Sequence, residues 1–296
     1  MPELPDVLTY VHCLRPRVVG RRLVELHIRS PFILRTAEPT PESLRGRRVL
    51  AVQRLGKRIV LQLEADCFVV VHLMIAGRLQ WIEQAPPRSP RTAQAAFEFE
   101  DATLLLVEAA KQKRASIHLT DGAAALAAHE RGGLDVLNST ADEFAAVLRA
   151  ANHTLKRALT DPRTFDGIGN AYSDEILFAA GLSPLQLTSR LSNEQAHRLY
   201  GAARAVLSHW IDLLRERFAG RFPTPAEITA FRPEFAVHGR FGQPCRTCGA
   251  PVQRIRYAAN ETNYCARCQN EGRVLADRSL SRLLRDDWPR SIDDWF

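Results

Sequence analysis

The sequence predicts an α+β protein built from a β-rich N-terminal half, a helical middle and a cysteine-bearing segment near the C-terminus. Short runs rich in Val, Ile and Leu lie between Gly, Pro and Asp breaks from about residue 18 to about residue 119, which is typical of short strands. From about residue 139 the apolar periodicity becomes helical. Four cysteines follow in two close pairs. We place the domain boundaries at 1–135, 136–236 and 237–270, with an Arg-rich C-terminal tail of unknown role at 271–296.

The individual elements follow in chain order from the local pattern. A first helix is expected at Pro5–Leu14, ahead of strands that predict a β-sandwich or a barrel. The strands are expected at Arg48–Arg54, Arg58–Glu64, Phe68–Leu73, Ala96–Phe99, Thr103–Glu108 and Ser116–Leu119. Ser and Thr at N-cap positions support the later helices. These helices are expected at Ser139–Ala151, His153–Thr160, Ala171–Ala180, Ser192–Phe218 and Pro225–Ala230.

The charge balance of the chain favours an anionic partner. Its 296 residues include 40 Lys and Arg against 33 Asp and Glu, a formal net charge of +7, which favours nucleic acid first. The most apolar run, Cys67–Ala76, is too short to span a bilayer and is interpreted as a buried strand. Because no export signal is visible either, no membrane partner is expected. The single cysteines, Cys13 and Cys67, are expected in the core of a cytoplasmic protein.

The cysteine pairs predict a metal site. Cys245 and Cys248 are followed after sixteen residues by Cys265 and Cys268, a spacing that supplies four thiolates to one tetrahedral Zn²⁺. A closed site of four thiolates leaves no position for substrate, so the zinc is expected to be structural. The segment between the pairs is expected to form a β-hairpin. Such a finger suits contact with DNA phosphates, although a zinc ribbon that only stabilises a small domain, or binds protein or RNA, fits the same motif.

The chain start carries candidate catalytic residues. Removal of Met1 would leave Pro2 with a free secondary amine, and an α-amine titrates near ~8 whereas a lysine titrates near ~10.4. Such an amine is a nucleophile at neutral pH, and its attack on a sugar C1′ gives an iminium ion that acts as an electron sink. Glu3 is placed to act as general acid and base. An ordinary N-terminus with an acidic neighbour is the alternative.

Two further features are candidate phosphate-binding elements. The run from Thr164 to Glu175 predicts a helix, a two-glycine turn and a second helix that Asn170 begins. The N–H groups of such a helix start can bind a phosphate, and Lys156 on the preceding helix is expected to add charge there. A purely structural turn is the alternative. Lys57 follows a glycine at the start of a strand, where a long side chain can reach a cleft or simply remain solvated.

A basic cluster follows the apolar run Leu104–Val107. It contains Lys111, Lys113 and Arg114 and is expected to form a hairpin loop that presses against a phosphate backbone or a base step. A solvated turn is the alternative.

Taken together, these motifs resemble one family of DNA-repair enzymes. In order, the chain contains MPELPD, GKRIVLQLE, HLMIAGRL, FDGIGNAYSDEILFAAGLSP, VHGRFGQPCRTCG and NYCARCQ. This series resembles the formamidopyrimidine-DNA glycosylase and endonuclease VIII family of base-excision repair, nearly to Gln269. The resemblance implies an N-terminal β-sandwich flanked by helices, then a helix–two-turn–helix domain with a β-hairpin zinc finger. DNA is implied to lie between the two parts.

The resemblance also implies roles for individual residues. Pro2 matches the proline that attacks C1′ of the damaged nucleoside, and Glu3 matches the carboxylate that transfers protons. Lys57 matches the strand lysine near the lesion's phosphate. Asn170 matches the asparagine of the helix–two-turn–helix, and Lys156 falls where the family has a lysine on the preceding helix. The damaged base is flipped out and displaced, and β-elimination and then δ-elimination nick the strand.

Several positions depart from the family pattern. The finger arginine that grips the phosphate of the flipped nucleotide is replaced by Asn260, with Arg254, Arg256 or Arg267 as possible substitutes. The methionine that fills the vacated stack is matched by Met74 or Ile75, which we expect to act as an apolar wedge. A second wedge loop is replaced by the segment that contains Lys111, Lys113 and Arg114.

The predicted function is a bifunctional DNA glycosylase and abasic-site lyase that excises oxidised bases of the 8-oxopurine or formamidopyrimidine type. An enzyme for oxidised pyrimidines or only for abasic sites is the alternative within this class. A non-catalytic zinc-finger protein that binds damaged DNA, and an RNA-binding zinc ribbon, are the alternatives outside it. The expected partner is double-stranded DNA with damaged bases or abasic sites. We expect a monomer in the bacterial cytoplasm, associated with the nucleoid.

Overall fold

The computed structural model describes residues 1–83, 91–257, 260–277, 280–285 and 288–295. The chain divides into two compact units. Unit 1 contains Met1–Arg131 and Trp210–Thr229, and unit 2 contains Gly132–His209 and Ala230–Phe296. Among the described residues, no helix is both long and apolar enough to cross a membrane.

Unit 1 is built from two four-stranded antiparallel sheets and a first helix, α1 (Leu4–Val18), which packs on strand β2. The strands in chain order are β1 (Glu25–Ile28), β2 (Val49–Leu55), β3 (Arg58–Leu63), β4 (Cys67–His72), β5 (Gly77–Ile82), β6 (Ala93–Glu98), β7 (Thr103–Glu108) and β8 (Ser116–Asp121). One sheet has the order β1-β6-β7-β5, and the other has the order β2-β3-β4-β8.

Burial explains why the apolar runs form the central strands. Every residue of β7 is buried, and so is every residue of β4 except His72, because both faces of these strands are covered. On one face of the second sheet, Phe68 and Val70 pack with Leu126 of the short helix α2 (Ala123–Ala127). Cys13 and Cys67 are buried as predicted.

The structure corrects two predictions and adds two strands. The segment with Lys111, Lys113 and Arg114 is not a hairpin loop, because β7 and β8 belong to different sheets and the segment crosses between them. Pro225–Ala230 is not a helix; turns occupy it. Strands β1 and β5 were not predicted, since β1 has only four residues and β5 begins at a glycine.

Unit 2 contains the predicted helices of the middle part. They are α3 (Ala141–Arg149), α4 (Leu155–Thr160), α5 (Asn170–Ala180) and α6 (Asn193–Arg217), the last of which continues into unit 1. Thr140 caps α3 in a capping box: its hydroxyl accepts from the Glu143 N–H at 3.3 Å, and the Glu143 carboxylate accepts from the Thr140 N–H at 2.8 Å. In the turn between α4 and α5, Gly167 has a φ of +82°.

The finger of unit 2 has the predicted hairpin. Strands β9 (Gln253–Tyr257) and β10 (Asn260–Tyr264) pair antiparallel, and a short helix, α7 (Ala266–Asn270), follows. Residues 258 and 259, part of the predicted hairpin, lie outside the described residues.

The tail packs onto the finger. Ile292 is fully buried in a cluster with Val237 and Tyr264, and its N–H donates to the Gly272 carbonyl at 2.8 Å. The N–H of Leu275 donates to the Tyr264 hydroxyl at 2.7 Å. A short helix, α8 (Leu280–Leu284), lies within the tail. The tail is not net basic, because its five arginines are matched by six acidic residues.

Candidate functional site

The chain start is anchored at the N-terminus of α1. Glu3 is the N-cap residue, and the Asp6 carboxylate accepts a hydrogen bond from the Glu3 N–H at 2.9 Å. These interactions satisfy N–H groups that have no partner within the helix. Pro2 is buried, and Glu3 and Asp6 are each only 2% exposed. The fold therefore holds Pro2 and Glu3 in a protected setting.

Four charged side chains act on the N-terminal amine. Burial lowers the pKa of this amine, which belongs to Met1 in the structure, and the cations Arg78 and Lys57 act in the same direction. The carboxylates of Glu3 and Asp6 oppose that shift. Lys57, a candidate catalytic residue from the sequence, therefore acts electrostatically on the amine at the chain start. Arg78 was missed, although it stands in the quoted HLMIAGRL motif directly after its glycine.

Two tight turns position these cations. Lys57 lies in the two-residue turn between β2 and β3, where Gly56 has a φ of +61°. Arg78, the second residue of β5, donates hydrogen bonds to the carbonyls of Ile75 at 3.1 Å and Gly77 at 2.7 Å. Its Nε also donates to the Ile228 carbonyl, within the same unit.

The candidate wedge residues lie in the turn between β4 and β5. Met74 has a left-handed backbone with a φ of +51°, and Ile75 is 55% exposed. Gly77 closes this turn by donating its N–H to the Leu73 carbonyl at 2.9 Å. The turn therefore presents Ile75 outward and keeps Met74 partly buried.

The crossing segment between β7 and β8 is organised by Glu108. This residue is 1% exposed, and its carboxylate accepts from the N–H groups of Arg114 at 3.0 Å and Ala115 at 3.3 Å. The Lys113 ammonium donates to the Glu108 carbonyl. Lys111 and Arg114 are exposed. Sequence reasoning missed Glu108 because nothing in its own run marks it as a buried carboxylate.

Two imidazoles of the second sheet, His72 and His118, are influenced by Arg58, and His129 lies against His118. Burial lowers the pKa of His72 to about 4, and the cations Arg58 and Lys57 contribute. Burial also lowers the pKa of His118 to about 4, with His129 as the next cause. The rings of His118 and His129 make an edge contact with a centroid distance of 4.7 Å. These imidazoles are therefore neutral at physiological pH.

In unit 2, Lys156 belongs to α4, and its side chain reaches the start of α5. Its ammonium donates hydrogen bonds to the Asn170 carbonyl at 2.7 Å, the Ser173 hydroxyl at 2.8 Å and the Asp174 carboxylate at 2.6 Å. The Asn170 side-chain amide donates to the Glu261 carbonyl at 2.9 Å, which links α5 to β10 of the finger. Asn170 and Lys156 are therefore brought together.

Two consecutive carboxylates connect α5 to the finger. Oδ2 of Asp174 accepts from His238 Nδ1 at 2.7 Å and from the Asn263 N–H at 3.0 Å. The Glu175 carboxylate accepts three backbone N–H groups of residues 236–238 at 2.7–2.9 Å. Burial raises the pKa of Glu175, and these three donors oppose that shift. Both carboxylates stand in the FDGIGNAYSDEILFAAGLSP motif of the sequence analysis, but their hydrogen-bond partners are distant in sequence.

The four finger cysteines have the geometry of a zinc site. Their Sγ atoms all lie within 4.8 Å of one another, with 3.4 Å between Cys248 and Cys265 and 3.9 Å between Cys245 and Cys268. Sulfurs bound to one tetrahedral Zn²⁺ at about 2.3 Å lie about 3.8 Å apart. The residues present therefore fit zinc.

The finger arginines have partners within the finger and tail. Asn260 is exposed at the start of β10. Arg254 lies over the Phe241 ring at 4.1 Å from its centroid and pairs with Glu261 at 3.6 Å. Arg267 pairs with Asp293 of the tail. Of the three candidate substitutes, Arg256 and Arg267 are exposed, and the N–H of Arg256 donates to Asp277 at 2.6 Å.

Three features together define the DNA glycosylase class of repair enzyme. They are the buried chain start beside two cations, the helix–two-turn–helix and the four-cysteine finger. Three family models match the chain: the formamidopyrimidine-DNA glycosylase N-terminal domain over residues 1–115, the formamidopyrimidine-DNA glycosylase H2TH domain over 133–217, and the zinc finger found in FPG and IleRS over 242–270. The chain belongs to the formamidopyrimidine-DNA glycosylase family, as the resemblance predicted.

Relatives and solved structures extend this match over most of the chain. The formamidopyrimidine-DNA glycosylase of Heliobacterium modesticaldum is 32% identical over an alignment of 277 residues, which covers 91% of this chain and 100% of that protein. The crystal structure of the Fpg protein of Thermus thermophilus is 31% identical with a TM-score of 0.75, covering 92% of this chain and 100% of that one. A variant Fpg of Lactococcus lactis was crystallised with Fapy-dG-containing DNA. It is 25% identical with a TM-score of 0.80, and the match covers 91% of this chain and 100% of that one.

Proposed function

We propose that this chain is a bifunctional DNA glycosylase and abasic-site lyase with Pro2 as its nucleophile. The observation that carries this proposal is the setting of the N-terminal amine, where burial and the cations Lys57 and Arg78 lower the pKa. Removal of Met1 moves the amine to Pro2, one residue along the same buried stretch. A lowered pKa keeps more of the amine as free base at neutral pH, and the free base is the nucleophilic form.

The reaction follows from the chemistry of that amine. The Pro2 nitrogen forms a bond to C1′ as the bond from C1′ to the base breaks, and the departing base takes a proton. Opening of the sugar ring gives an iminium ion, which acidifies the C2′ protons. Loss of one C2′ proton then expels the 3′ phosphate in β-elimination, and loss of the C4′ proton expels the 5′ phosphate in δ-elimination. Glu3, one residue from the nucleophile, serves as the proton donor and acceptor.

The remaining candidate residues are proposed as DNA contacts. Lys57 is assigned to the phosphate beside the lesion and completes the catalytic set with Pro2 and Glu3. Asn170 is assigned to a backbone phosphate at the start of α5. Lys156 is assigned to the same site as the residue that fixes this helix start, since its ammonium already donates to Asn170, Ser173 and Asp174. Met74 and Ile75 are assigned to the vacated base stack. Lys111, Lys113 and Arg114 of the crossing segment are assigned to the DNA backbone that flanks the lesion. Asn260 of the finger hairpin is assigned to the same backbone.

The domain roles and the metal complete the proposal. Residues 1–135 form the catalytic part, 136–236 the helix–two-turn–helix part and 237–270 the finger, which holds one structural Zn²⁺ through Cys245, Cys248, Cys265 and Cys268. Four thiolates complete a tetrahedral shell, so the metal holds the finger together and takes no part in the reaction at C1′. We assign a monomer acting on double-stranded DNA in the bacterial cytoplasm, at the nucleoid.

The proposed substrates are oxidised bases of the 8-oxopurine or formamidopyrimidine type. The relatives carry the name formamidopyrimidine-DNA glycosylase, and the Lactococcus lactis protein was crystallised with Fapy-dG-containing DNA. Ile75 is exposed, and the crossing segment departs from the family pattern at a predicted wedge loop. These two observations favour a second candidate, an enzyme for oxidised pyrimidines or for abasic sites only. A panel of duplexes with one lesion each, assayed for strand cleavage, separates these substrates.

A trapping experiment tests the proposed chemistry. Borohydride is expected to reduce the iminium ion and link the protein covalently to duplex DNA that contains an abasic site. Pro2→Gly is expected to weaken trapping at least about tenfold, because the secondary amine is lost. Pro31→Gly, at an exposed proline, is the matched control and should trap like the parent. Absence of any adduct from protein whose mass shows that Met1 was removed would overturn the proposal and leave a DNA-binding protein without catalysis.

A further inference from the structure

A cavity of about 410 Å³ lies within unit 2, beside the first turn of the finger segment. The side chains that matter for its chemistry are Phe231, Arg232, His238, Arg240 and Arg246. No acidic residue is among the described residues that line it. The guanidinium groups of Arg232, Arg240 and Arg246 are therefore the charged groups of this lining.

Among the residues that the structure describes, two arginines of this lining, Arg240 and Arg246, have no carboxylate partner. Arg240 donates hydrogen bonds to the carbonyls of Phe235 at 3.2 Å and Pro244 at 3.3 Å. Arg246 donates to the carbonyl of Pro233. Neutral carbonyl acceptors hold these guanidinium groups in place while leaving their charge uncompensated, and an anion such as a phosphate suits that arrangement. Arg232, only 4% exposed, adds a third guanidinium.

An aromatic ring stands at the same cavity. The ring of Phe231 is stacked on the imidazole of His238, with centroids 5.8 Å apart and planes 18° apart, yet 66% of this residue is exposed. Gly239 makes this placement possible, because a Cβ there would lie 2.8 Å from a carbon of the Phe231 ring. A large exposed phenyl ring fixed in one orientation is a platform on which a nucleobase can stack.

A buried ion-pair network fixes the imidazole on which the Phe231 ring is stacked. The Asp174 carboxylate accepts from His238 Nδ1 and from the Lys156 ammonium, so the imidazole under Phe231 is fixed in its orientation. His238 is 4% exposed and Asp174 is fully buried. A site whose aromatic and cationic groups are already in place loses little entropy when a ligand binds.

We propose that this cavity binds one unpaired nucleotide of a DNA strand, with its base stacked on Phe231 and its phosphate held by Arg240 and Arg246. A nucleotide supplies both features that the cavity matches, a flat apolar face and an anion. Because Phe231 remains largely exposed, a strand can continue past the bound nucleotide. This nucleotide site lies entirely in unit 2 and goes beyond the proposed reaction at Pro2, which belongs to unit 1.

The test uses the full-length zinc-loaded protein and a fluorescein-labelled thymidine pentanucleotide without any lesion, with binding followed by fluorescence anisotropy. Phe231→Ala is expected to weaken binding about tenfold, since loss of one base–aromatic stack typically has an effect of this order. Arg246→Gln is expected to weaken binding several-fold and to reduce the dependence on salt. Thymidine monophosphate should displace the strand at lower concentration than inorganic phosphate does.

Matched controls make the result decisive. Phe32→Ala removes a phenylalanine that is 78% exposed in unit 1, and Arg215→Gln removes an exposed arginine of α6; both should bind the pentanucleotide like the parent. Thermal melting and zinc content verify that each variant is folded. If Phe231→Ala binds as tightly as Phe32→Ala, the proposal is wrong. Equal displacement by phosphate and by the mononucleotide also overturns it, because the base is then not stacked.

Two further outcomes are informative. Binding of the mononucleotide in clear preference to the strand would identify a free-nucleotide site and contradict the proposal as stated. The Pro2→Gly variant, which lacks the proposed nucleophile, should bind the pentanucleotide like the parent. Failure of the trapping experiment and failure of the nucleotide site are therefore distinguished by separate readouts.

Discussion

Lys156 and Asp174 form a buried ion pair, with 2.6 Å between the ammonium nitrogen and Oδ1 and side-chain exposures of 11% and 0%. The other carboxylate oxygen of Asp174 holds His238 and the backbone of Asn263. One side chain thus connects α4, the segment before the finger and strand β10. Because Lys156 also donates to the Asn170 carbonyl, the same pair fixes the start of α5.

Replacing Asp174 by Asn should therefore destabilise unit 2 severely. The Lys156 ammonium would remain buried without its counter-charge, and breaking such a pair from one side typically costs about 3–5 kcal/mol. We expect this loss in the free energy of unfolding, measured by urea denaturation. Asp212→Asn, on an exposed carboxylate of α6, is the matched control and should change the free energy by less than about 0.5 kcal/mol. A D174N protein within about 1 kcal/mol of the parent would refute the central role of this pair.

The turn that carries Met74 and Ile75 should depend on Gly77. A Cβ at this position would lie 2.4 Å from the Leu73 carbonyl oxygen, so Gly77→Ala must displace the turn. We expect a loss of about 2–4 kcal/mol in unfolding free energy. In contrast, Gly201→Ala on α6 meets no atom within 4 Å and should stabilise the protein by about 0.5–1 kcal/mol. Differential scanning calorimetry of both variants checks the opposite signs; equal shifts would contradict the steric argument.

The sequence predicted well those features that depend on neighbouring residues. The apolar runs of β3 and β7 mark strands directly, and the two cysteine pairs mark the metal site. The sequence did not predict features that depend on partners distant in the chain. Strand β1 owes its conformation to pairing with β6, and the crossing segment could not be recognised before its flanking strands were assigned to different sheets.

The same limit applies within the candidate site. Asp174 and Glu175 were visible in a quoted motif, but their partners Asn263 and Ala236 stand 89 and 61 residues away. Nothing in the local sequence marked Arg78, whose guanidinium acts on the amine at the chain start only in the folded protein. A buried carboxylate or a clustered cation has no local periodicity, so only the tertiary structure identifies it.

The pH dependence of trapping should report the amine at the chain start. Burial, Arg78 and Lys57 lower the pKa of the N-terminal amine below its ordinary value of 8.0, because they disfavour its charged form. Only the free base attacks, so the trapping rate of the processed protein should rise with pH, with a midpoint below that of a solvent-exposed amine of the same kind. Arg78→Gln removes one cation that disfavours the ammonium form, and the midpoint should therefore move to higher pH.

A control distinguishes this electrostatic effect from a general loss of structure. Arg22→Gln removes an exposed arginine of unit 1 that does not act on the amine, and its midpoint should coincide with that of the parent. Damage to the fold lowers the trapping rate at every pH without moving the midpoint. A midpoint that stays in place or moves to lower pH in R78Q would contradict the assignment of Arg78 to the amine.

The tail should stabilise the finger through one buried side chain. Ile292 is fully buried with Tyr264 and Cys265, whereas Leu283 of α8 is 77% exposed. Ile292→Ala is therefore expected to cost about 2–5 kcal/mol and to speed the loss of zinc to a chelator, because the cavity loosens the packing beside the thiolates. Leu283→Ala should change stability by less than about 0.5 kcal/mol and release zinc at the parental rate. Equal release rates for the two variants would show that the tail does not support the metal site.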